Sequence, residues 1–159
     1  MRPEPPTDPD VDLSVARHRA ELRGGTASLL LAIAVGGVVG SLARHGLSVA
    51  VPHPPDGFPW ATFTVNVSGC LLIGVLMVLI TEAWTAPRLV RPFLGVGVLG
   101  GYTTFSTYAV EVQQAVAVGA ARTALWYLAG TLVAALTAVR VGMTLTRLAT
   151  GAGRNRGAG

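Results

Sequence analysis

Read for polarity alone, the chain alternates long uncharged stretches with short charged or proline-rich breaks. The uncharged runs cover residues 26–43, 61–81, 93–110 and 123–139. Each approaches or exceeds the ~17–25 apolar residues a helix needs to cross a bilayer. Together they use up most of the chain, which excludes a soluble enzyme with a membrane tail and points to a small polytopic membrane protein. The expected spans are 26–51, 61–81, 92–118 and 122–148. The run VPHPPDGFP at 51–59 is too rich in proline to be helical and reads as an exposed loop. Trp60 directly after it suits the aromatic belt at a membrane interface.

The third span breaks the pattern. Its middle reads GVGVLGGYTTFSTYAVEVQQ, with glycines and hydroxyls crowded together and then Glu111, Gln113 and Gln114. Irregular backbone inside a membrane is tolerated only beside protein or a water-filled cavity. Gly100-Gly101 followed by Thr103-Thr104 is therefore where the helix is expected to break, and a break at the midplane presents carbonyls or amides to an ion. In the first span Gly36 and Gly40 form a small-xxx-small pair that lets another helix approach closely.

Composition sharpens this picture. Of 159 residues, 51% are hydrophobic and 13% charged, about half the charge of a typical soluble domain. The fold class expected is an all-α membrane protein of four transmembrane helices with a broken third helix. The domain division is a disordered cytoplasmic tail at 1–25, a transmembrane unit at 26–148 and a flexible C-terminal tail at 149–159. The leader MRPEPPTDPD is acidic and rich in proline, unlike a secretory signal, so the first helix is expected to be retained. The pI of about 10.2 does not argue for nucleic acid, because all twelve basic residues are arginines and most of them flank the apolar runs. With the N-terminus inside, the inner segments hold Arg2, Arg17, Arg19, Arg23, Arg88, Arg91, Arg147, Arg154 and Arg156, while the outer loops hold only Arg122. Nine against one predicts cytoplasmic N- and C-termini in a plasma (inner) membrane protein. Cys70 is the single cysteine and reads as a small packing residue.

Several side chains could carry chemistry. Asn66 in the second span either makes an interhelical hydrogen bond or lines a polar path; residue type alone leaves both open. Phe105 and Tyr108, three apart, share a helix face and serve either packing or anion contact through their electropositive ring edges. Thr104, Ser106 and Thr107 place hydroxyl donors around the same turns. Tyr127 reads as a pore phenol or an interfacial anchor. Arg44 reads as a snorkelling residue or as the cation of an anion vestibule, with a charge pair to Glu111 as a further option. His45 and His53 suggest no metal site.

The stretches GGVVGSLARHGL, FPWATFTVNVSGCLLIG and GVGVLGGYTTFSTYAVE resemble the CrcB/Fluc family of fluoride channels over about residues 30–145. The resemblance implies an antiparallel, dual-topology dimer of four-helix subunits with fluoride pores at its interface, not an enzyme. It implies passive export of F⁻ from the cytoplasm. It also implies a structural, untransported Na⁺ on the dimer axis, held by the carbonyls of Gly100 and Thr103. Asn66 becomes the pore amide and Phe105 and Tyr108 the ring edges. Arg44 stands near the pore mouth, and Tyr127 is a pore residue of the fourth helix. Two departures stand out: Tyr108 where a second Phe is common, and Ala61 where Gly is usual. A proton-coupled small-molecule exporter built on Glu111 and a non-transporting membrane anchor are the competing classes. The arginine bias adds one expectation of its own. A chain locked in one orientation cannot supply both halves of an antiparallel dimer, so a homologous subunit of opposite orientation is the expected partner rather than a second copy.

Overall fold

The computed structural model describes residues 26–83 and 87–151, and every regular element in it is helical. The expected tail at 1–25 and most of that at 149–159 lie outside the described residues. Helix α1 is Ala27–Ala50 and α2 is Trp60–Val78, prolonged by a wider π-helical turn at Leu79–Ala83. A π-helical stretch Pro92–Leu99 then leads into the short helical turn α3, Gly100–Tyr102. Helix α4 covers Ser106–Ala117 and α5 covers Ala121–Thr150. Three helical stretches are long and apolar enough to cross a membrane: Ala27–Ala50, Trp60–Ala83 and Ala121–Thr150.

The region between Pro92 and Ala117 is not one continuous helix. Helical geometry ends at Tyr102, Thr103 is extended at φ −77° and ψ 157°, and the helix resumes at Ser106. The interruption falls at Thr103–Phe105, at the Thr103-Thr104 end of the stretch that sequence singled out, while Gly100 and Gly101 are themselves helical. Pro92 sits at the start of the first half, where its missing N–H costs no hydrogen bond.

Packing explains where the glycines went. The Pro92–Tyr102 half lies along α1, whereas α4 lies against α5, so the interruption hands the chain from one neighbour to another. Against α1 the approach is backbone to backbone: a Cβ on Gly36 would come within 2.5 Å of the Phe93 carbonyl oxygen, and one on Gly97 within 2.8 Å of Ile33 O. The small-xxx-small expectation for Gly36 and Gly40 is met here, with Gly40 against Tyr102 N. Helices α2 and α5 make the broadest contact in the fold, and Gly74 and Gly142 face each other's helix in the same way. Between α4 and α5 the chain turns at Gly119, whose φ of +81° a residue with a Cβ would resist.

The ends of α2 and α5 are fastened by charge. Arg147 donates from Nη2 to Glu82 Oε1 at 2.8 Å and from Nε at 3.1–3.2 Å to both carboxylate oxygens. At the opposite end Phe58, Trp60 and Phe63 cluster, with ring centroids 4.5–5.9 Å apart. Trp60 remains exposed, as a belt residue should.

Candidate functional site

The interruption needs substitutes for its lost helical hydrogen bonds, and Asn66 supplies them. Its Nδ2 donates to the Thr104 carbonyl and its Oδ1 accepts the Thr104 N–H, both at 2.9 Å. The side-chain amide thus pairs with the backbone as another peptide group would. Of the two readings left open by sequence, the interhelical bond is present. It also keeps Asn66 on the wall of a groove about 680 Å³ in volume, formed where α2, the interruption and α5 meet.

Two carbonyls lose their usual partners as a consequence. In a continuous helix Thr104 N–H would bond Gly100 O, but it goes to Asn66. Thr107 N–H would bond Thr103 O, but it goes to Thr104 Oγ1 at 3.2 Å. Thr104 therefore acts as a side-chain cap for α4, with Thr107 Oγ1 at 3.0 Å and Ser106 Oγ at 3.3 Å completing a hydroxyl cluster. Gly100, Thr103 and Thr104 all line the groove. The next carbonyl, Gly101 O, accepts from Arg44 Nε at 3.2 Å and from Ser41 Oγ at 3.4 Å. A guanidinium at the end of a helical turn is favourably placed against its carbonyl dipoles.

Phe105 stands out of the chain's surface at 80% exposure, on the groove wall. Its ring lies 5.9 Å from that of Tyr108, which in turn meets Tyr127 edge-on at 5.0 Å. Tyr127 reaches Phe58 at 5.3 Å, so rings run in file from the interruption to the aromatic cluster at the start of α2. The hydroxyl that distinguishes Tyr108 from Phe is turned aside, donating to Leu128 O on α5 at 2.8 Å. Its ring remains on the groove.

Tyr127 is 1% exposed, so it is no interfacial anchor, and it is not part of the groove wall in a single chain. Its hydroxyl donates to Glu111 Oε2 at 2.7 Å, while Thr62 Oγ1 donates to Oε1 at 2.8 Å. Both carboxylate oxygens are thereby held between α2, α4 and α5. The alternative pairing of Glu111 with Arg44 is not formed, because Arg44 is committed to the far side of the interruption. No group of three or more metal-ligating side chains is found among the described residues.

Sequence reasoning missed Thr131. It is 6% exposed, lines the groove from α5, and its Oγ1 is a buried polar atom without a hydrogen-bond partner among the described residues. A buried hydroxyl left unpaired is costly, which sets Thr131 apart from the other polar residues of the groove. The available signal was spacing: Thr131 lies one helical turn after Tyr127.

The groove therefore presents an amide, hydroxyls and ring edges, with no carboxylate on its wall. Residues 31–143, which contain this whole site, match the family described as CrcB-like protein, Camphor Resistance (CrcB). A protein of Nocardia farcinica named Fluoride-specific ion channel FluC 2 is 57% identical over 127 residues, covering 80% of this chain and 91% of its own. One of Streptomyces avermitilis with the same name is 50% identical over 130 residues, covering 82% of each chain. In Streptomyces coelicolor, Fluoride-specific ion channel FluC 1 is 56% identical over 113 residues, 71% of this chain and 73% of its own. This chain, with its interrupted third segment and its amide-braced groove, is a membrane protein of the CrcB-like family.

Proposed function

We propose that the chain forms part of a fluoride-specific channel through which F⁻ leaves the cytoplasm passively, lowering the toxicity of the ion. The observation that carries this reading is identity of 50–57% to fluoride-specific channels over about four-fifths of the chain. The site chemistry agrees. Fluoride is small and strongly hydrated, so a pore has to replace its water with donors. Asn66, Thr104, Phe105 and Tyr108 offer amide, hydroxyl and ring on the groove wall without fixed negative charge, and Thr104 is linked there to Ser106 and Thr107, which are not on that wall. Hydrogen fluoride crosses lipid undissociated and is trapped as F⁻ at cytoplasmic pH, so a simple conduit empties the cell down the electrochemical gradient. Glu111 is bound to two hydroxyls and stands away from the groove, which leaves a proton-coupled exporter without an acid in its path.

In this reading the interruption splits the third transmembrane span into two half-helices. The carbonyls of Gly100 and Thr103, freed of their helical donors, would hold a structural Na⁺ together with the same atoms of a second subunit. Its charge supports an anion nearby: at ~10 Å and an effective dielectric of ~20, Coulomb attraction is about 1.7 kcal/mol. The N-terminal end of α4 adds positive potential from the other side.

A one-sided groove with an exposed Phe105 needs a second wall, which an antiparallel partner subunit would provide. The arginine bias favours a homologous partner of opposite orientation, with this chain's termini cytoplasmic in the plasma membrane. Streptomyces avermitilis, which holds both a FluC 2 and a FluC 3 relative, shows that two such chains occur in one organism.

The test is ion efflux from liposomes holding the purified chain, alone and with a homologue of reversed arginine bias. Fluoride efflux that chloride does not match is the expected result, and equal release of both ions would reject it. Reporter fusions should place the C-terminus inside in nearly all molecules; a half-and-half distribution would reject the two-subunit reading.

A further inference from the structure

Arg140 has no role in anything described so far. It lies on α5 with its side chain exposed, and among the described residues its guanidinium makes no ion pair or hydrogen bond. A charge within a membrane-spanning helix is costly unless it is paired, so the partner has to be found.

Among the described residues the chain does not supply one. Three acidic residues are described: Asp56, Glu82 and Glu111. Glu82 is taken by Arg147, Glu111 is held by Thr62 and Tyr127, and Asp56 sits in the loop next to Phe58, at the Tyr127 end of α5. Nor does the groove that faces the proposed partner subunit. Nine residues separate Thr131 from Arg140, two and a half helical turns, which puts Arg140 on the opposite side of α5 from the Thr131 hydroxyl, and it does not line the groove. Arg140 therefore stands on the exposed face of α5.

Its surroundings match one kind of lipid. The side chain lies in a shallow furrow of about 600 Å³ lined by Leu136, Val141 and Leu145 with two hydroxyls, Thr137 and Thr144, one turn to each side. Thr137 spends its proton on Val133 O, whereas Thr144 makes no hydrogen bond among the described residues. Arg140 stands seven residues, ~10 Å, deeper than Arg147, which is paired near the end of the helix. At that depth a phosphate drawn slightly inward from the headgroup layer meets the guanidinium and Thr144 together, with acyl chain along the aliphatic furrow.

We propose that Arg140, with Thr144 as a second donor, is a binding site for the phosphate of an anionic phospholipid on the outer face of α5. The site does not depend on fluoride conduction, and its test reads lipid rather than ion flux. Purified full-length protein is mixed with phosphatidylglycerol or phosphatidylcholine, then examined by native mass spectrometry and by thermal melting. Wild type should retain phosphatidylglycerol preferentially and melt higher in its presence. Arg140→Leu should lose both effects while melting no lower in phosphatidylcholine, where an unpaired charge has been removed. Thr144→Val should weaken retention with the charge still in place, and serves if Arg140→Leu fails to fold. Arg122→Gln, at the other end of α5, should leave retention intact. Undiminished retention in both furrow variants would overturn the proposal. So would dissociation of a dimer in Arg140→Leu, because the missing anion would then belong to a neighbouring subunit.

Discussion

Asn66 shows how one side chain serves two ends. Its amide closes the interruption by pairing with both polar groups of Thr104, and the same atoms lie on the groove. Asn66→Asp keeps the shape but replaces a donor by an oxygen facing the Thr104 carbonyl. Removing one partner of a buried pair typically costs about 1–3 kcal/mol. A lowered melting temperature together with abolished fluoride efflux is expected, and efflux at the wild-type rate would exclude Asn66 from the path. Thr131 separates stability from conduction more cleanly. Among the described residues its hydroxyl has no partner, so Thr131→Ala should leave melting unchanged or raised while efflux falls. Tyr108→Phe should do the reverse: it loses the bond to Leu128 O, at a cost of about 0.5–1.5 kcal/mol, but keeps the ring edge and the efflux.

At the scale of elements, the fold rests on backbone contact rather than large side chains. Gly36 against Phe93 and Gly97 against Ile33 bring α1 and the Pro92–Leu99 stretch together backbone to backbone. Gly97→Leu has no room there, and overpacking commonly costs about 1–3 kcal/mol. A lowered melting temperature in detergent is expected, and efflux should fall with it because this stretch carries Gly100 and Thr103 to the groove. The interruption itself was legible in outline: glycines and threonines in the middle of a span pointed to it. Within the stretch Gly100–Thr104 that sequence marked, only the structure decided that the glycines stay helical and the threonines carry the break. Thr104 leaves regular geometry with its N–H on Asn66 Oδ1, a bond from a distant helix, and the helix resumes with Thr107 N–H on Thr104 Oγ1.

For the molecule as a whole, the described chain is half of a device on the reading proposed here. The groove is open, Phe105 projects from it, and Gly100 and Thr103 lie on the same wall. If Na⁺ joins two such walls, replacing it by a bulky organic cation during purification should lower the melting temperature and promote monomers on size-exclusion chromatography. Unchanged behaviour in Na⁺-free buffer would remove the ion from the assembly.

Length and hydropathy alone determined that this is a helical membrane protein, because the cost of unpaired backbone in hydrocarbon leaves a chain with such runs few other choices. The glycines at 36, 40 and 74, the loop at 51–59 and the family motifs were equally readable, since each depends on residue type or near neighbours in the chain. What only the tertiary structure decided are the pairings between distant segments. Asn66 with Thr104, Glu111 with Thr62 and Tyr127, and Arg44 with Gly101 span 16 to 57 residues of sequence. The orphaned hydroxyl of Thr131 likewise becomes visible only once its neighbours are in place. A polar side chain in a membrane must find a partner, and sequence records that need without recording which partner meets it.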